Sequence, residues 1–457
     1  MNRHASFNRF YRLVWSRHTE SWHVVSEITR AQGKGGCRAR GAVAGVLASV
    51  ALGGAGIQAY AQQAPPPVNA LPTGGVVAQG VATISQSVTA QTAAMAVNQA
   101  SQRAVVNWNT FNIGQNASVT FNQPNAQAVI LNRIADQNPS QIYGQLRANG
   151  QVYLTNPGGI YFSPTAQVDV GALVATTHAI GDAAFMNGNI AFSRHGATGS
   201  ILNEGQLNAQ LGGYVALLAP EVRNGGVIVA QAGTVALAAG EVITLNFNGR
   251  GGLAGLTVTP ATLETLIENR QAVRAPGGLV LISAQSLASL QSGVINNSGT
   301  IEATRMTTAD GVIRLEASQA VVQTGTLRAP TLAAQTNNMI DAGTWDASAA
   351  GNGTTNGGSI RIEVTGGIEQ TQAAVMNADG AQGGAIRIEA QGSTYLSGRM
   401  SANGTADKGG EIAITAPSVA VAGATVSADG ETGGGRVRIG GGWQGRDGDL
   451  ANASTTT

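Results

Sequence analysis

His178 and His195 are the only histidines downstream of residue 23. They stand seventeen residues apart, and neither has a carboxylate motif beside it. General acid–base chemistry needs acids and bases gathered in one groove with tuned proton affinities. Two isolated histidines read instead as surface or turn residues. Asp379 and Asp429 recur in "ADG" corners, where a short carboxylate serves turn chemistry and forms no acid pair. "GRGG" at 249–252 reads as a turn. H-E-x-x-H, G-x-S-x-G, phosphate-loop and calcium-nonapeptide motifs do not occur. The sequence therefore offers no catalytic, cofactor-binding or metal-ligating set, and the reading is of a protein that is not an enzyme.

One constellation is left, Asn156-Pro157-Gly158-Gly159-Ile160, between the β-forming runs "QVYLT" and "GIYFS". Pro157 fixes φ at the second turn position, Gly158 is expected to take the positive φ of a type II turn, and Asn156 can bond the backbone ahead. Two readings stay open at this point: a tight corner of a scaffold, a recognition motif, or both at once.

The elements around it begin with an export signal. Residues 1–40 carry eight basic side chains (Arg3, Arg9, Arg12, Arg17, Arg30, Lys34, Arg38, Arg40) against Glu20 and Glu27. A short apolar run, Gly41 to Ile57, and the small-residue site Ala59-Tyr60-Ala61 follow. This is the pattern of a secretory signal peptide cleaved after Ala61, and the run is short and glycine-broken for a membrane span. Cys37, the single cysteine, leaves with it, so the mature chain has no disulfide or thiolate site. The whole chain is +1 and the signal removes +6, so the mature chain is near −5, which excludes a basic nucleic-acid footprint.

A Pro-rich lead-in at 62–74 is expected to be extended and solvated. Beyond it, short β-patterned runs alternate with Gly, Asn, Pro and Asp corners. One helix is expected, in "TPATLETLIENRQAV", with Thr259 as N-cap, Pro260 in the first turn and Leu263, Leu266, Ile267 and Ala272 at helical spacing. Past residue 276 the chain repeats: "GGSIRIEV" from Gly357, "GGAIRIEA" from Gly383, "GGEIAITA" from Gly409 and "GGRVRIGG" from Gly434, spaced 26, 26 and 25 residues apart. A period in the twenties with an alternating strand is the signature of a parallel β-helix. Ile360/Ile362, Ile386/Ile388, Ile412/Ile414 and Val437/Ile439 would face inward, and Arg361, Glu363, Arg387, Glu389 and Arg438 outward. The closing "GGGWQGRDGDLANASTTT" shows neither a capping helix nor the alternating strands of a membrane barrel, so a separate outer-membrane pore is expected. The short chain leaves open a front portion of a larger exoprotein, a truncated form or a short secreted one.

These residues also carry a family resemblance. "NRFYRLVWSRHTESWHVVSEITRAQGK" resembles the extended signal-peptide region of large bacterial autotransporters and two-partner-secretion exoproteins. "FNIGQNASVTF", "AVILNRI", "SQIYGQLRANGQVYLTNPGGIYF" and "VDVGALVATT" resemble the secretion domain of the filamentous-haemagglutinin and high-molecular-weight-adhesin family, most densely over 75–195 and more loosely to 275. The family motif is NPNGI; Gly158 departs from it, which keeps the turn and removes one amide. A second family motif, NPNL, is absent.

The expectation is an all-β, right-handed parallel β-helix with one short helical insertion: signal 1–61, lead-in 62–74, secretion domain 75–275 and repeats 276–457. The resemblance implies delivery by the Sec machinery to the periplasm of a Gram-negative bacterium and recognition of the unfolded chain by POTRA domains of a dedicated outer-membrane transporter, with Asn156–Ile160 as the candidate motif. It implies release or display outside the cell as a monomeric adhesin or haemagglutinin that meets a host-cell receptor or glycan. Within the family, the export and stalk portion of a contact-dependent toxin or cytolysin is the alternative. A β-helical polysaccharide-degrading enzyme is a remote one.

Overall fold

The computed structural model describes residues 64–457 apart from 289–291, 307–308, 350–353 and 449, together with strands Tyr11–Ser16 and Ser21–Ser26. Residues 1–55 and 56–457 are separate compact units. In the first, the two strands pair antiparallel, with Tyr11 opposite Ser26. Ala59, Ala61, Cys37 and the apolar run lie outside the described residues.

In the second unit the chain visits three sheets in turn and then repeats the circuit. Ala117–Asn122 opens the first full round in sheet 1, Val129–Ile134 follows in sheet 2 and Ser140–Ile142 in sheet 3. Gln145–Ala148, Gln151–Thr155 and Ile160–Phe162 then stack on them in parallel. Among the described residues the circuit continues until sheets 1 and 2 hold 14 strands each and sheet 3 holds 12. This is a parallel β-helix. Its register is set by side-chain alternation, because a one-residue slip would turn every aliphatic chain out of the core.

The repeats show this directly. Ser359–Val364 alternates half-buried or exposed positions with buried Ile360, Ile362 and Val364. Ile360 pairs with Ile386 and Ile362 with Ile388. These pair in turn with Ile412 and Ile414, and those with Val437 and Ile439. Burying each such side chain contributes roughly 1.5–3 kcal/mol. The last rung departs from the expectation: Val437 is 43% exposed and Ile439 half-buried, since among the described residues no strand of sheet 2 stacks beyond them. Outside, Arg361 meets Glu363 at 2.5 Å and Arg387 pairs with Glu389, so the stacked like charges are offset within each strand.

The first rung is covered. Val76–Gln79 pairs antiparallel with Arg103–Trp108 in sheet 2, and Ala82–Val88 pairs antiparallel with Ala93–Gln99 in sheet 1. Both shield an edge that would otherwise present unpaired amides. The lead-in is not simply solvated. Asn116 N and Gly114 N donate to Val68 O and Ala70 O, and Leu71 reaches the core.

Two insertions build a second core on the outer face of sheet 2. One is a helix, Asp182–Met186, followed by strand Ala191–Ser193; the other is the hairpin Val242–Phe247/Leu253–Thr259. Phe185, Phe192, Ile243 and Leu245 pack there on Leu131, Tyr153, Val174 and Tyr214. This makes strands such as Tyr214–Leu218 buried on both faces. Arg133 pins the helix, donating to Asp182 Oδ1 at 2.5 Å and Ile180 O at 3.0 Å.

The helix expected from Thr259 does not form. Leu253–Thr259, Leu266–Asn269 and Ala272–Arg274 are strands instead. Ile267 enters the core and Asn269 bonds both neighbouring coils, so the stacking of coils overrides a weak local helical preference. The α-helix among the described residues lies at Asp182–Met186.

Candidate transporter-recognition corner

Asn156–Gly159 turns the chain from sheet 2, leaving at Thr155, into sheet 3, entered at Ile160. Gly159 N donates to Asn156 O at 3.0 Å, closing a four-residue turn. The turn differs from the type II expectation. Positive φ falls on Gly159 (φ 117°) and not on Gly158. Gly158 is required for space: a Cβ there would lie 2.4 Å from the carbonyl oxygen of Gln137 in the preceding coil. On the other side, a Cβ on Gly199 of the next coil would meet Pro157 O at 2.4 Å, so three coils are stacked tightly through this corner.

Asn156 is fully buried. Its Nδ2 donates to Asn138 O at 3.0 Å and to Ser140 Oγ at 2.9 Å, and its Oδ1 accepts from Gly158 N at 2.9 Å. Its own N donates to Thr176 O of the next coil at 3.0 Å. Ile160 is buried in register with Ser140 and Ile201, so the corner also seats an inward aliphatic side chain. Pro157 is exposed and Gly158 half-buried, while Asn156, Gly159 and Ile160 are buried. In the folded chain, then, the motif shows solvent little beyond a proline ring. A partner that reads Asn156 must meet it before the coil closes.

The other singled-out residues are placed apart. His178 is not on the surface: it is fully buried, with Nε2 2.9 Å from Gly240 O, between sheet 2 and the second insertion. Burial lowers its proton affinity, and the Gly240 carbonyl partly offsets this. His195 is exposed, in a turn with φ 46°. Asp379 accepts from Asn403 N at 2.5 Å, and Asp429 from Ser427 Oγ at 2.7 Å, which is corner chemistry. "GRGG" forms the hairpin tip, where Asn248 Oδ1 accepts from Arg250 N and Gly252 N, both at 3.0 Å.

The sequence reading missed a polar ladder in sheet 3. Asn203, Asn224, Asn269, Asn297 and Gln323 are fully or almost fully buried on one inward line. Each of the four asparagines donates its Nδ2 to the side-chain oxygen of the next residue, at 2.7, 2.8, 2.7 and 2.8 Å. Such amide stacks satisfy one another from coil to coil. The signal was present: "ILNEG", "VRNGG", "IENRQ", "INNSG" and "VVQTG" place an amide at the last residue of strands that stack on successive rungs.

Comparison with known proteins gives this geometry a family. Residues 71–329 match the family model of the TPS secretion domain, and residues 8–56 that of the Extended Signal Peptide of Type V secretion system. A heme/hemopexin-binding protein of Haemophilus influenzae (strain ATCC 51907 / DSM 11121 / KW20 / Rd) is 31% identical over 255 residues, 54% of this chain and 27% of the relative. A second Haemophilus influenzae protein of that name is 40% identical over 111 residues, 24% of this chain and 12% of the relative. The chain thus spans about a quarter or less of these relatives' lengths. The crystal structure of the HMW1 secretion domain from Haemophilus influenzae superposes with a TM-score of 0.67 at 23% identity, over 79% of this chain and 99% of that one, which supports the fold. The extended signal peptide and the secretion domain mark export through the periplasm to the surface or exterior of a Gram-negative cell. With the family model spanning more than half of its length, the chain belongs to the two-partner-secretion exoproteins and carries their secretion domain.

Proposed function

We propose that this chain is a non-catalytic exoprotein, an adhesin or haemagglutinin, which a dedicated outer-membrane transporter reads in unfolded form through its POTRA domains after Sec delivers it to the periplasm. Residues 75–275 act as the export domain, and residues 276–457 extend it as a rod that presents an adhesive face to a host-cell receptor or glycan. One observation carries this reading: the three sheets run in unbroken register from the family-matched segment into the repeats, as from Leu279–Ala284 to Val312–Ala317 to Thr331–Thr336. Each coil templates the next, so folding can advance along the chain as it emerges, and no separate energy source is needed for the fold to propagate. Asn156–Ile160 is the proposed motif, available to the transporter only while its coil is open.

The test is binding of the mature chain to purified POTRA domains, in chaotrope-diluted unfolded form and after refolding. The proposal expects unfolded chain to bind and refolded chain to release. Equal binding of both forms contradicts it. A second reading, capture of a host haem-carrying protein, is favoured by the names of the two Haemophilus relatives. Retention of hemopexin on immobilised mature protein, without adhesion to epithelial cells or erythrocytes, would select it over the adhesin reading.

A further inference from the structure

Beyond Gln323 the polar ladder of sheet 3 changes character. The next rung is Asp341, in register with Gln323 before it and Gln370 after it. Asp341 is fully buried. Its Oδ1 accepts from Trp345 Nε1 at 3.1 Å and Gly343 N at 3.2 Å, and its Oδ2 accepts from Gln370 Nε2 at 3.3 Å. All three donors are neutral.

The strands packed around it offer no counter-charge. Arg328 and Asp346 on sheet 1 sit at outward positions and pair with each other at 3.0 Å. Arg361 and Glu363 on sheet 2 face outward as well, as does Glu369 on the adjacent strand of sheet 3. The inward positions hold Leu327, Trp345, Leu332, Ile360 and Ile362, all buried. A carboxylate in such a site loses most of its hydration, and three long neutral hydrogen bonds offset only part of that loss. Desolvation accordingly pushes the Asp341 carboxyl up to about 6, against the lowering effect of its three donors. This rung lies just past residue 329, where the secretion-domain match ends.

We propose that Asp341 makes its coil a proton-operated joint between the secretion domain and the distal rod, loose when the carboxylate is charged and tight when it is protonated. The sign follows from linkage. The folded coil holds a proton at pH values where the unfolded coil, with an ordinary aspartate near 3.8, has lost it. Stability of this coil therefore rises as pH falls through about 6 and is fully gained below 3.8. From pH 7.5 to 5 these values lower the opening equilibrium about tenfold. At neutral pH the distal coils can open and rejoin without disturbing the coils that precede them; in mild acid the rod behaves as one unit.

Hydrogen–deuterium exchange on the mature chain, corrected for the intrinsic pH dependence of exchange, tests this at pH 7.5 and 5. The expected result is that opening of peptides within residues 331–377 slows about tenfold in wild type on acidification. Asp341→Asn, which continues the amide ladder, is expected to be slow at both pH values. Asn297→Asp is expected to create the same pH response around residues 294–302, moving the joint. An unchanged pH response in Asp341→Asn, no response in wild type, or no new response in Asn297→Asp would overturn the proposal.

Discussion

Replacing Asn156 by alanine separates the two roles of the corner. The substitution removes hydrogen bonds that a fully buried side chain makes to Asn138 O and Ser140 Oγ and the one it accepts from Gly158 N. Each is worth about 1 kcal/mol net, and the groups left without partners add desolvation, so the loss is about 2–4 kcal/mol. Destabilisation alone would lower export if, as proposed, folding advances along the chain as it emerges. A matched control is therefore needed. Asn269→Ala breaks the amide ladder at a site that donates to Asn297 and accepts from Asn224, and its cost is also about 2–4 kcal/mol. Urea unfolding of the purified mature proteins establishes the match, and quantified blotting of medium against cells gives export. Recognition of Asn156 predicts a severe export loss for Asn156→Ala and near-normal export for Asn269→Ala. Equal export of the two variants would refute a recognition role and leave the corner purely architectural. Equal stability of Asn156→Ala and wild type would refute the hydrogen-bond account itself.

Other perturbations follow from the same geometry. Gly158→Asn restores the family residue but drives a Cβ toward Gln137 O, and a cost of about 1–3 kcal/mol is expected in urea titration unless the neighbouring coil yields. Unchanged stability would show that it does yield. His178 is held neutral by burial, its proton affinity lowered below the ordinary value of 6.5, so below that pH the unfolded chain binds a proton that the folded chain refuses. Stability through this residue is thus lost as pH falls below 6.5. His178→Gln keeps a donor for Gly240 O, and its urea midpoint should fall less than the wild-type midpoint between pH 7.5 and 5.

The repeating strands were legible in the sequence because a β-helix imposes a two-residue alternation on its strands and, over the last coils, the return length is nearly constant. Ile360, Ile386 and Ile412 are spaced by that return and pair in register. What escaped depends on contacts between distant coils. The run after Thr259 has helical spacing, yet Asn269 is claimed by Asn224 and Asn297, 45 and 28 residues away. His178 is buried because an insertion 62 residues downstream brings Gly240 over it. Positive φ falls on Gly159 rather than Gly158, and Gly158 is pressed against Gln137 of the preceding coil, a contact that the pentapeptide does not contain. The motif itself could be located from its turn chemistry, but its burial could not.

The most direct test of the account is an immunoblot of culture medium from a Gram-negative host expressing this chain with and without its transporter gene, using antibody against residues 62–457. Two-partner export predicts a processed band outside the cell only when the transporter is present, and chain held in the periplasm when it is absent. The same extracellular band without the transporter would contradict two-partner export.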